Sequence, residues 1–118
     1  MPLDKLEARL RKAALAYPET HEDHPWGESA FKVRGKVFLF LFRNEEGISF
    51  SMKLPASREF ALVFDFAAPT GYGLGKSGWI TCKLDAKTEV DPDLLLRWLD
   101  ESFRTVAPKK LVATLPVA

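Results

Sequence analysis

The sequence predicts a single α+β domain over residues 1–118: an antiparallel sheet meander with two longer helices packed on one face, in the order α-β-β-β-α-β-α. Three observations predict it. Segments near both ends carry apolar residues at spacings of three and four, the signature of helices buried along one stripe. The middle holds short β-branched and aromatic runs that alternate with period two. Short turns join consecutive runs, which makes neighbours antiparallel and excludes a doubly wound sheet.

Each element has its own local cause. Leu3, Leu6, Leu10, Ala13, Ala14 and Tyr17 form one stripe, so residues 3–17 read as a helix, ended by Pro18. Glu19 to Gly27 holds two His and three acids with prolines nearby, and reads as a loop. Phe31-Lys32-Val33-Arg34 alternates, and Gly35 offers a tight turn into the run Lys36–Arg43. That run is apolar on both faces, which suits a central strand. Asn44–Gly47 is a hairpin connection, and Ile48–Leu54 then alternates with Ile48, Phe50, Met52 and Leu54 inward. Pro55 opens a short helix at roughly residues 56–64, followed by a loop punctuated by Pro69, Gly71, Gly73 and Gly75. Trp79–Leu84 is a strand with Ile80, Cys82 and Leu84 inward. The last helix starts at Asp91 (N-cap), Pro92 and Asp93, buries Leu95, Trp98, Leu99, Phe103 and Val106, and stops at Pro108. The tail 111–118 adds a strand or simply packs.

Composition removes several classes of protein. A chain of 118 residues supports one domain. Nine Phe, three Trp and two Tyr supply the apolar area that disordered chains lack. Cys82 is the single cysteine, so no disulfide framework exists. No apolar run approaches the ~20 residues that span a bilayer, and residues 1–5 lack a secretory apolar stretch. A soluble, reduced, cytoplasmic protein with no membrane partner is expected.

The net charge of +1 hides an asymmetry: residues 1–28 carry −2, residues 29–83 carry +4, and residues 84–118 carry −1. Strand phase concentrates that middle charge. With the helices on the core face, the opposite face shows Lys32, Arg34, Ser49, Ser51, Lys53, Trp79, Thr81 and Lys83. Such a face suits nucleic acid, with cations on phosphates and Trp79 stacked on a base. A solvated polar sheet face with Trp79 covered by the loop 71–78 is the plainer account.

Other motifs lead to little chemistry. Gly71 to Ser77 ends in Gly-Lys-Ser but is one residue short of a phosphate loop and precedes a strand, where that mechanism needs a helix. His21-Glu22-Asp23-His24 lacks a second ligand pair, so no metal is expected. Cys82 lies on the inward face, far in sequence from both His, and reads as a small apolar residue. No catalytic set and no cofactor are expected.

Several segments together resemble the MmcQ/YjbR family of small bacterial proteins. They are Ala16-Tyr17-Pro18-Glu19-Thr20; Pro25-Trp26-Gly27; Phe31-Lys32-Val33 with Gly35-Lys36-Val37-Phe38; Met52-Lys53-Leu54; Gly75-Lys76-Ser77-Gly78-Trp79-Ile80; and Asp100 to Lys109. The resemblance covers roughly residues 3–110, and Ser102-Phe103 departs from the Ser-Tyr more usual there. It implies the α+β fold shared with the bacterial frataxin homologue CyaY, a "double wing" DNA-binding fold. It also implies DNA as the partner, with Lys36, Lys53, Lys76 and Trp79 as contacts. A frataxin-like iron role is not expected, because the first helix mixes four basic with two acidic residues. The expectation is therefore a non-catalytic DNA-binding monomer or weak homodimer using Lys32, Arg34, Lys36, Lys53, Lys76, Trp79 and Lys83. The alternative is a small-molecule or protein-binding domain with a pocket near Trp79, Tyr72 and Trp26.

Overall fold

Six strands form one antiparallel sheet in the computed structural model, which describes residues 2–24 and 28–116. They are β1 (Thr20–Asp23), β2 (Ser29–Val33), β3 (Lys36–Arg43), β4 (Ile48–Lys53), β5 (Ala67–Pro69) and β6 (Trp79–Leu84), in the spatial order β1-β2-β3-β4-β6-β5. Two longer helices, α1 (Leu3–Leu15) and α3 (Pro92–Val106), lie together on one face. Short helices α2 (Arg58–Ala61) and α4 (Lys109–Val112) and a 3-10 turn at Leu74–Ser77 complete the chain. The α+β class stands.

The element list differs from the sequence reading at four places. Residues 20–23 form an edge strand where a loop was expected. Their own sequence is polar and their exposure alternates, so only pairing with β2 makes them a strand. Residues 67–69 likewise join the opposite edge, with Pro69 tolerated because an edge strand can spare an N–H. The helix expected at 56–64 shortens to Arg58–Ala61, and it buries Ala61 while leaving Phe60 54% exposed. The tail turns into the helix α4, seated by Leu111, and not into a strand.

The helix stripes behave as their spacing dictates. Leu3, Leu6, Leu10 and Ala14 of α1 are buried, as are Leu95, Trp98, Leu99 and Phe103 of α3. Asp91 caps α3 by accepting the Asp93 N–H at 3.0 Å, with Pro92 in the first turn. Facing them across the interior are Ile48, Phe50 and Met52 of β4 and Ile80, Cys82 and Leu84 of β6.

A bulge in β3 alters the alternation there. Phe31 lies opposite Leu39, but the next residue of β2, Lys32, lies opposite Val37, so Phe38 is the extra residue. Phe38 and Leu39 are consequently both fully buried. Phe38 meets the Phe103 ring edge-on at 5.0 Å, and Tyr17 stacks on Phe103 at 4.4 Å.

Ser102 secures this junction. Its Oγ donates to the Phe38 carbonyl at 2.5 Å and accepts the Lys53 N–H at 2.8 Å. Leu39 pairs with Met52, so Phe38 and Lys53 would be the next rung of the ladder. One buried hydroxyl from α3 bridges that rung. Ser102→Ala leaves both backbone groups without this partner and is expected to cost about 1–3 kcal/mol in urea unfolding. Retention of full stability would mean that the rung closes directly.

Tyr17 adds a pH dependence. Its hydroxyl donates to Asp100 at 2.7 Å, and Asp100 also takes the Arg104 Nε at 2.7 Å. Burial, then the hydrogen bond to a carboxylate, push the phenol well above its ordinary value. The folded chain therefore holds this proton more tightly than the unfolded chain. The stability it lends is complete below the ordinary tyrosine value of about 10 and is lost as pH rises beyond it. Urea midpoints at about pH 8 and about pH 11 are expected to diverge more in the wild type than in Tyr17→Phe; equal divergence would refute the assignment.

Candidate nucleic-acid interface

Strict alternation along β4 and β6 fixes what the helix-free face of the sheet displays. Lys53 pairs with Trp79, Ser51 with Thr81, and Ser49 with Lys83. All six are on the side opposite Phe50, Met52, Ile80 and Cys82. β3 contributes Phe40 opposite Ser51 and Phe42 opposite Ser49. A row of hydroxyls crosses the centre: Ser51 Oγ lies 2.8 Å from Thr81 Oγ1, which lies 2.9 Å from Thr70 Oγ1.

The expected contact residues separate into distinct groups. Lys53 and Lys83 share this face, about 13 Å apart along the strands at ~3.3 Å per residue. Lys76 projects from the 3-10 turn that leads into β6, at the Lys53 end. Among the described residues none of these three lies within ion-pairing distance of a carboxylate. Lys32 and Arg34 differ. Lys32 Nζ donates to Asp23 at 3.1 Å, and Arg34 grips Glu19 through two bonds of 2.9 and 3.1 Å. Each cation holds its partner carboxyl below the usual carboxylate range. Arg34 also leaves the strand, at φ 49° in the turn with Gly35 at φ 80°. Lys36 pairs with the buried Val33, so the bulge phase places it at the strand end on the helix side.

Trp79 is on the predicted face, but it is only 8% exposed. Its ring leans on Phe40 across β4, with centroids 5.7 Å apart, and leaves little area for a stacked base. Phe42 is the more exposed ring of this face, at 39%. The alternative pocket gains little from the geometry: the Tyr72 side chain is fully exposed and encloses nothing, and Trp26 lies outside the described residues.

The structure gathers one polar group that no sequence motif announced. Ser29 Oγ donates to Glu22 at 2.6 Å, Arg11 donates to Ser29 at 3.1 Å, and His24 Nδ1 is 3.5 Å from the same hydroxyl. Glu22 also carries the Arg11 ion pair, and Ser29 is buried, out of reach of a substrate. The group ties the β1–β2 hairpin to α1. Burial pushes the Cys82 thiol up to about 12, far from a reactive thiolate. Among the described residues no cluster of His, Cys, Asp and Glu could hold a metal ion. No helix among them is long and apolar enough to cross a membrane.

An antiparallel sheet backed by two helices on one face and bearing polar and aromatic side chains on the other is an α+β domain. The YjbR family model matches residues 15–105, and the chain belongs to that family. A solved structure with this fold is the Deinococcus radiodurans protein DR2400, a DUF419 domain. It is 25% identical, with a TM-score of 0.69, and the match covers 83% of this chain and 75% of that one. No curated protein matches the sequence.

Proposed function

We propose that the helix-free face of the sheet binds DNA through its phosphate backbone, without catalysis. The observation that carries this reading is the placement of Lys53 and Lys83, both without carboxylate partners among the described residues, on either side of the hydroxyl row, with Lys76 at the rim. Lysines neutralise phosphates and release counterions, and hydroxyls donate to phosphate oxygens. The resemblance read from the sequence implies the same partner. A net charge of +1 sets the scale: affinity on the order of 1–100 μM near physiological salt, in the range of non-specific binding.

Fluorescence anisotropy with labelled single-stranded and duplex DNA across a salt series tests it. Log affinity is expected to fall linearly with log salt. Affinity indifferent to salt, or none tighter than ~100 μM at low salt, would remove the proposal.

A further inference from the structure

The hairpin end of the same face holds a cleft of about 410 Å³. Phe42 forms one wall, Ser49 the floor and Lys83 the other wall, in a row across β3, β4 and β6. Phe42 is an aromatic ring left 39% exposed on a sheet. Among the described residues, the Ser49 hydroxyl and the Lys83 ammonium have no hydrogen-bond or ion-pair partner. The far end is rigid: Asn44 Oδ1 accepts the N–H of Glu46 and of Gly47 at 2.9 and 3.0 Å. A Cβ on Gly47 would fall 1.9 Å from the Leu84 carbonyl oxygen, so the hairpin is pressed against β6. Asp85 is engaged by the Lys87 N–H and the Thr88 hydroxyl. Glu46, the other acid at the cleft, lies at the hairpin end, away from the Lys53 side.

An apolar ring face, a hydroxyl and an ammonium together fit a planar heterocycle joined to an anionic group. We infer that this cleft receives an unstacked base of a single strand, stacked on Phe42, with Ser49 at its edge and Lys83 on the adjoining phosphate. The inference rests on the proposed DNA reading and sharpens it. A duplex keeps both faces of each base stacked on its neighbours, so it offers the ring nothing; a single strand offers a free π-face. Phe42 thereby takes the role that the sequence alone assigned to Trp79. The strand's backbone continues over the hydroxyl row toward Lys53.

The test is anisotropy with one labelled oligonucleotide, alone and annealed to its complement, against the wild type, Phe42→Ala and Phe42→Leu. Phe42 is partly exposed, so both variants are expected to fold, and circular dichroism melts check this. Phe42→Leu keeps apolar bulk without an aromatic face. The wild type is expected to prefer the single strand. Both variants are expected to lose about 5- to 100-fold in single-strand affinity, the contribution of one stacked base, with duplex affinity unchanged. Equal affinity for both strand states, or unchanged single-strand affinity in the variants, overturns the cleft assignment and leaves the DNA reading in place. Absence of binding to either form overturns both.

Discussion

Phe103→Ala is expected to destabilise the fold by about 3–5 kcal/mol, the range for removing a buried phenyl ring. Phe103 is fully buried on α3, between Tyr17, stacked at 4.4 Å and 17°, and Phe38, edge-on at 5.0 Å and 89°. Three chain segments meet at this ring: the end of the first helix, the bulge of β3 and the C-terminal part of α3. Truncation removes the ring's transfer energy, opens a cavity and breaks two aromatic pairs of about 0.5–1.5 kcal/mol each. The neighbours have little freedom to collapse inward. Tyr17 is held by its bond to Asp100, and Phe38 is held by Ser102 through its carbonyl. A small domain is stable by only about 5–15 kcal/mol, so this single change takes roughly a fifth or more of the total. Phe60→Ala is the matched comparison, because that ring is 54% exposed; it is expected to cost under about 1 kcal/mol. Urea unfolding of both variants decides the matter. Equal losses would mean that the aromatic trio does not organise the core.

What the sequence made legible follows from where the information resides. The stripes of α1 and α3 and the alternation of β4 and β6 are local patterns, and each element is where its own residues put it. The edge strands β1 and β5 are strands only by virtue of their neighbours. Thr-His-Glu-Asp and Ala-Ala-Pro contain no strand signal, and only the backbone partners in β2 and β6 create one. Missing β1 had a chemical consequence. From the sequence Lys32 and Arg34 read as available, because the acids that engage them, Asp23 and Glu19, fall in a segment that reads as a loop. The phase of Lys53 and Lys83 was legible because nothing interrupts alternation between them and the buried residues beside them. The phase around Val37 and Phe38 was not, since a bulge is set by packing against Phe103 and carries no marker in the run Lys36–Arg43. Trp79 illustrates the same limit at one side chain: its face was correct, but its burial depends on Phe40, two strands away.

The triple variant Lys53→Gln, Lys76→Gln, Lys83→Gln is expected to weaken DNA binding on the order of 100-fold or more at low salt, since a hydrogen bond to a charged group contributes about 1.5–3 kcal/mol. Glutamine keeps most of the stem and the apolar contacts along the sheet, so the loss reports charge. The more decisive number is the salt slope. Each phosphate contact contributes about 0.9 to the slope on duplex and about 0.7 on single strands, so removing three takes roughly 2–3 out of it. Net charge alone lowers affinity somewhat, and a second triple separates this from contact. Lys12, Lys109 and Lys110 are exposed on α1 and α4, away from the hydroxyl row. Their change to Gln removes the same three charges, taking the formal +1 to −2 in both variants. That control is expected to shift affinity by a few-fold and leave the slope intact, because long-range charge is screened beyond about 10 Å at 0.1 M salt. Equal slopes in the two triples would mean that the sheet face makes no phosphate contacts. A slope reduced only in the control would move the binding surface to the helices.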